Sequence, residues 1–501
     1  MEKKKRIFYN LIVGIGGKVL LMVLGFLVPK LYIENYGSEM NGLLSSIAQV
    51  FTYLALLEAG VGTATTQALY EPVSKNDFDG INAIMSAASK FYKRTGILYG
   101  IGVIGFAIVY PLIVKNSIDN WVIFGVILLS GANGVLQYFF QSKYFSLLNA
   151  EGKAYVHVAI GTIVSFVTTI SKLVLLVFRF NIIFVYTMYF VIGMVQILAL
   201  NIYIKTRYKY LNCRTEANYQ AISQNKSVLI HQVSSLIFSN TDVLILTAFC
   251  DLKTVSIYTI YSMVTESINT VLNIVFGSFT AALGLTYQED KERFKMYYDL
   301  FELGTWTISF IIMTVTLLLY NPFIGIYTAN ADIVYVDKWL PLLFVLGKLL
   351  SLIRMPGVYA VNVAGHFKAT QTRTIIESSI NIIVSLICVQ KYGIYGVLFG
   401  TLAALLYRTV DFIVYANTKI VRRRWSVIIR RLSVDVLVSF FVVVFLKSLV
   451  EDIDTVGAFI KAGIICTLFS AVCICIVNGI VERKNQCLTV LKYQLLRFGR
   501  K

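Results

Sequence analysis

The chain has 501 residues, 57% hydrophobic and only 14% charged, so it lacks the polar residues to coat a soluble globule of this size. Its net charge of +18 is not a nucleic-acid footprint, because the basic residues sit in short loops between apolar blocks, where they act as orientation signals. Cys388, Cys466, Cys473 and Cys475 lie inside apolar blocks, and the pair Cys473/Cys475 has no His or carboxylate nearby to complete a metal site.

About 20 apolar residues cross roughly 30 Å of hydrocarbon. The first block, 7–29, follows Lys3-Lys4-Lys5-Arg6; it is too long for a signal-peptide core and no small-x-small cleavage site follows it, so it reads as a retained first span. A window of about 19 residues predicts fourteen spans, at 7–31, 41–68, 94–114, 120–142, 155–178, 182–204, 227–249, 255–285, 301–320, 338–361, 373–390, 393–417, 432–449 and 456–480. With the N-terminus in the cytoplasm, inner loops and termini carry about 32 Lys and Arg against 7 outside, which supports an even span count with both termini cytoplasmic. The longest outer loop is 321–337, too short to fold as a catalytic domain, which needs at least about 40 residues.

The expected fold is an all-α polytopic membrane protein with about 14 transmembrane helices. Its segments are an N-terminal six-helix lobe (1–204), a polar cytoplasmic linker (205–226), a C-terminal six-helix lobe (227–418), a basic loop with spans 13 and 14 (419–480), and a basic tail (481–501). The tail reads either as an amphipathic helix on an anionic inner leaflet or as a frayed end. Asn149-Ala-Glu-Gly152-Lys153 after span 4 and Asn362-Val-Ala-Gly365-His366 after span 10 stand in equivalent inner loops, a faint internal repeat of the kind transporters carry.

A charge at mid-membrane costs roughly 2.5–3.5 kcal/mol on insertion scales and so marks a cavity or a partner. Lys18, Glu58, Asp242, Glu266, Lys348, Arg354, Arg408 and Asp411 lie within spans, and Glu377 opens one. Lys18, Lys348 and Arg354 have no acidic residue three or four positions away on their own helix and read as unpaired cations of a cavity for an anionic substrate. Arg408 is a further cation of that cavity, and Glu58, Asp242, Glu266 and Asp411 read as counter-charges or as sites for a coupling cation, although Arg408 and Asp411 can simply pair on one helix. Lys30 and Lys172 are expected to snorkel outward, and Glu377 to be wet at an inner boundary. Polar stripes accompany these charges: Ser45, Gln49 and Thr52; His231, Ser235, Ser239 and Asp242; Thr259, Ser262, Glu266, Asn269 and Asn273. They line a cavity or bond between helices. No nucleotide-binding, nucleophile-elbow or metalloprotease sequence is present.

Several stretches, taken in order, resemble the polysaccharide transporter family of O-antigen and capsule repeat-unit flippases, in the superfamily that also holds multidrug antiporters and the lipid II flippase. They are Tyr36-Gly37-Ser38-Glu39-Met40-Asn41-Gly42-Leu43 leading to Leu56-Leu57-Glu58-Ala59-Gly60-Val61-Gly62; Asn240-Thr241-Asp242-Val243-Leu244-Ile245-Leu246 followed by Val255-Ser256-Ile257-Tyr258; the two Asn-x-x-Gly loops; and Tyr392-Gly393-Ile394-Tyr395-Gly396-Val397. The first-half counterpart of that last run, 180–186, has no glycine. The resemblance implies two six-helix lobes around a central cavity plus two C-terminal helices. It implies movement of an undecaprenyl-diphosphate-linked oligosaccharide to the outer leaflet of a bacterial cell membrane by alternating access. The partners it implies are membrane lipids, a polysaccharide polymerase and chain-length proteins. No cofactor is expected beyond a Na+ or H+ gradient or the membrane potential. The alternative is a cation-coupled multidrug exporter of the same superfamily.

Overall fold

A computed structural model describes residues 21–58, 60–114, 117–222, 226–451 and 453–483. Among them the regular structure is all helical, and twelve helices are long and apolar enough to cross a membrane. The remaining two expected spans, 7–31 and 227–249, run over residues outside that description or with undescribed side chains. The chain packs as two compact units, one of residues 1–256 with 331–333, the other of 257–330 with 334–501.

The first unit contains α1 (21–36), α2 (Ser38–Leu54), α3 (Val61–Lys75), α4 (Phe78–Ile113), α5 (Asn120–Phe140), α6 (Ser142–Ala150), α7 (Ala154–Val177), α8 (Ile182–Arg207) and α9 (Lys226–Phe249). The second expected span is not one straight helix. After α2 the chain tightens into a 3₁₀ turn, Ala55–Glu58, and Gly60 takes φ 85° before α3 begins, a left-handed conformation that costs a residue with a Cβ 1–2 kcal/mol. Asp77 then caps α4, accepting a hydrogen bond from the Gly80 N–H. The third span is correspondingly longer than 94–114, because α4 already begins at Phe78. The polar segment after α8 is held on this unit by bonds to α4. Asn82 bonds the Tyr210 carbonyl and the Asn212 N–H, Ser86 donates to Thr215 O, and the Asn218 N–H donates to Ala83 O.

The second unit contains α10 (Leu252–Gly277, whose first turn belongs with the first unit), α11 (Thr280–Glu289), α12 (Lys291–Tyr327), α13 (Leu340–Ile353), α14 (Met355–Ala364), α15 (Phe367–Tyr392), α16 (Ile394–Tyr415), α17 (Trp425–Val450) and α18 (Val456–Val481). Helix α12 extends past the expected 301–320 at both ends, opened by Asp290 capping the N–H groups of Glu292 and Arg293. In the loop before α13, burial opposes ionisation of Asp337, but the Tyr395 hydroxyl and the Leu340 and Trp339 N–H groups hold its carboxyl below the usual range.

Exposed apolar rows identify the lipid-facing surfaces. Ile163, Val167, Ile170, Val174 and Val177 run down one side of α7, and Ile460, Ile464, Leu468, Val472 and Ile476 down α18, at the three-to-four spacing of a single helix face. On such a surface lipid tails replace water as the solvent.

Gly42 in α2 meets the backbone of Leu252 at the start of α10, where a Cβ would lie 1.8 Å from the Leu252 carbonyl oxygen. Asn41 beside it donates to Ser256 Oγ at 2.8 Å. A backbone carbonyl cannot rotate aside, so Gly42→Ala is expected to separate these elements at a cost of about 1–3 kcal/mol or more. A lowered unfolding midpoint of the detergent-solubilised protein checks this; an unchanged midpoint contradicts the close approach.

Candidate functional site

Among the described residues two networks of charged side chains stand out, both within the second unit. The first joins α13 to α16. Arg354, at the α13–α14 junction, pairs with Glu377 of α15 at 2.5 Å. Arg408 of α16 lies 3.3 Å from the other Glu377 oxygen and 2.6 Å from Asp411, and donates to Thr374 Oγ1 at 3.1 Å. Arg373 closes the chain on Asp411 at 2.6 Å. Three guanidiniums thus alternate with two carboxylates. The Arg408 guanidinium also stacks 3.9 Å over the Phe412 ring, which suits its weak hydration and planar shape. Nearby in the same unit, Lys348 of α13 pairs with Glu266 of α10 at 2.7 Å.

These contacts correct three expectations. Lys348 and Arg354 are ion-paired; their carboxylates come from other helices, where same-helix spacing cannot reveal them. Glu377 is not wet, being 5% exposed. Lys172 does not snorkel: its ammonium lies 4.5 Å from the centre of the Tyr189 ring and 5.3 Å from that of Tyr186, a cation–π position inside the first unit. Arg408 and Asp411 pair as one of their two readings has it, and Lys30 lies 3.9 Å from Glu34 on its own helix.

The other candidates are dispersed. Lys18 lies outside the described residues, as do the side chains of His231 and Ser235. Asp242 is buried in α9 of the first unit, next in sequence to Thr241, whose hydroxyl lies 2.5 Å from that of Tyr53. Gln49 Oε1 is buried and finds no hydrogen-bond partner among the described residues. Ser45 and Thr52 bond carbonyls of their own helix. Asn269 donates to Glu266 at 3.2 Å, and Asn273 is exposed. Glu58, at the break before α3, accepts a hydrogen bond of 2.9 Å from Tyr92.

The second network escapes sequence reasoning. Arg431 of α17, 1% exposed, grips Asp299 of α12 with both terminal nitrogens, at 2.8 and 3.0 Å, and also reaches Glu302 at 3.1 Å and Glu482 at 2.9 Å. Arg423 pairs with Asp299 and Glu302, and Arg430 with Glu482 at 2.6 Å. Asn478 of α18 bridges Asp435 and Thr307, at 2.9 Å each. In the sequence these arginines belong to a basic inner stretch and read as orientation signals. The available hint is Asp299 and Glu302, three residues apart at the mouth of an apolar helix.

Over 93% of this chain and 98% of the other, the structure is similar to the lipid II flippase MurJ in an inward closed conformation, with TM-score 0.71 and 15% sequence identity. It is similar to an inward-facing multidrug resistance MATE family transporter of the MOP superfamily over 80% of this chain and 94% of the other, with TM-score 0.61 and 14% identity. A MATE structure in the bent conformation matches over 80% and 93%, with TM-score 0.52 and 14% identity. The chain has the fold of these membrane transporters. Neither a protein-family model nor a curated protein matches the sequence. The two-lobed all-helical expectation therefore holds, and the protein is a multi-pass membrane protein with the fold of these transporters.

Proposed function

We propose that this protein is a flippase that moves an undecaprenyl-diphosphate-linked oligosaccharide from the cytoplasmic to the outer leaflet of a bacterial cell membrane, driven by a Na+ or H+ gradient or the membrane potential. The observation that carries this reading is the extent of the likeness to the lipid II flippase, 93% of this chain against 80% for the multidrug transporters. The difference is about the length of the α17–α18 pair. A cationic character supports it: in the α13–α16 network three arginines face two carboxylates, an excess that favours an anionic headgroup. Polymerase and chain-length proteins would act on the exported unit.

The test is export of surface polysaccharide by cells carrying Lys18→Gln together with Lys348→Gln. Export is expected to fall at least about tenfold, the loss of one charge-assisted contact or more, with membrane levels of the protein unchanged. Wild-type export from this variant contradicts recognition through these cations.

One observation favours a cation-coupled multidrug exporter. The Glu266 side chain remains 60% exposed although paired with Lys348, which is 10% exposed, so a carboxylate stays open to a cationic ligand. A broad change in drug resistance on deletion, with normal surface polysaccharide, supports that reading.

A further inference from the structure

The first unit contains a cavity of about 490 Å³ that neither ion-pair network touches, walled by the turn before Gly60 and by α3, α4 and α6. Its volume lies within the roughly 300–1,000 Å³ range of small-molecule sites. It is more than ten times the roughly 30 Å³ that one water occupies in the liquid, so a bare ion does not fill it. Among the described residues no group of three or more His, Cys, Asp or Glu stands ready to hold a metal.

The wall is chemically one-sided. A hydroxyl has one proton to donate and two lone pairs. Here the protons point into the protein: Thr63 donates to Gly60 O at 2.9 Å, Thr66 to Gly62 O at 2.9 Å, Ser146 to Gly62 O at 3.2 Å and Ser142 to Gln137 O at 3.3 Å. Tyr92 gives its proton to Glu58. Apart from the Tyr70 hydroxyl, whose proton is free to point inward, these hydroxyls leave the cavity with oxygen lone pairs and one carboxylate. Asn149 uses its oxygen on His157 at 2.9 Å, which leaves its NH2 group as a donor beside that of Gln67. Tyr70 and Phe145 add aromatic surface to the lining.

This set fits a ligand rich in hydroxyl donors, with a few acceptors and a flat apolar face. We propose that the cavity binds a pyranose ring, with the Glu58 carboxylate accepting from its hydroxyls, the amides of Gln67 and Asn149 donating to it, and an aromatic ring under its C–H face. The inference is argued from the lining; if the flippase reading holds, the ring is a sugar of the translocated headgroup.

The test uses the full chain in lipid nanodiscs with three probes, methyl glucoside, N-acetylglucosamine and glucosamine, read by saturation-transfer NMR. The two neutral sugars are expected to receive saturation from the protein. Glu58→Gln should weaken them about tenfold, the worth of a hydrogen bond to a charged group. The pair Thr66→Val with Ser146→Ala, which removes two neutral acceptors, should weaken them at least about threefold and carries the test if Glu58→Gln does not fold. No transfer to the neutral sugars, equal transfer in the variants, or transfer to cationic glucosamine alone overturns the sugar site. Polysaccharide export is measured in parallel on the deletion strain. Sugar binding with normal export after deletion overturns the flippase reading alone, whereas normal flippase behaviour without sugar binding overturns the cavity alone.

Discussion

Arg431→Met is expected to lower the unfolding midpoint of the purified protein by several degrees and to deplete it from membranes. The side chain is 1% exposed and meets three carboxylates, those of Asp299, Glu302 and Glu482. Removing one partner of a buried pair costs about 3–5 kcal/mol, because the remaining charges stay in low dielectric without compensation. Arg423 and Arg430 relieve part of that cost, since they still reach Asp299, Glu302 and Glu482. Lys at 431 should restore less than half the loss, as an ammonium cannot make the two-pronged contact with Asp299. Neutralising the acids together with Arg431 should recover stability. The measurement is thermal unfolding in detergent; a midpoint within error of wild type for Arg431→Met contradicts the view that this cluster fastens α17 and α18 to α12.

Glu377→Leu is the second large effect. Glu377 stands between Arg354 and Arg408 and its side chain is 7% exposed. Without it Arg354 loses its ion pair with Glu377, and Arg408 keeps Asp411, which it must share with Arg373. A cost of about 3–5 kcal/mol is expected. Adding Arg408→Met should return part of it, because the Arg373–Asp411 pair then stands alone and balanced. The double-mutant cycle measures that coupling; strictly additive losses are inconsistent with one connected network.

Much of the fold was legible because the bilayer imposes a local rule. Each span must be apolar for about 20 residues and each inner loop basic, and both signals can be read one segment at a time. The break at Glu58 and Gly60 was not legible, since 41–68 reads as one apolar span and the left-handed Gly60 is set by the fold. The polar stripe on α2 shows the limit, since Ser45 and Thr52 satisfy themselves on their own helix while Gln49 does not.

The sequence by itself determined an all-helical, multi-pass protein with its spans in order and its intramembrane charges marked by their insertion cost. Only the tertiary structure decided which charges meet. Lys348 finds Glu266 at a separation of 82 residues, Arg354 finds Glu377 at 23, and Arg431 finds Asp299 at 132. Pairing across helices depends on the rotation and depth of each one. Those are set by side-chain packing between helices and not by the hydrophobic length that marks a span.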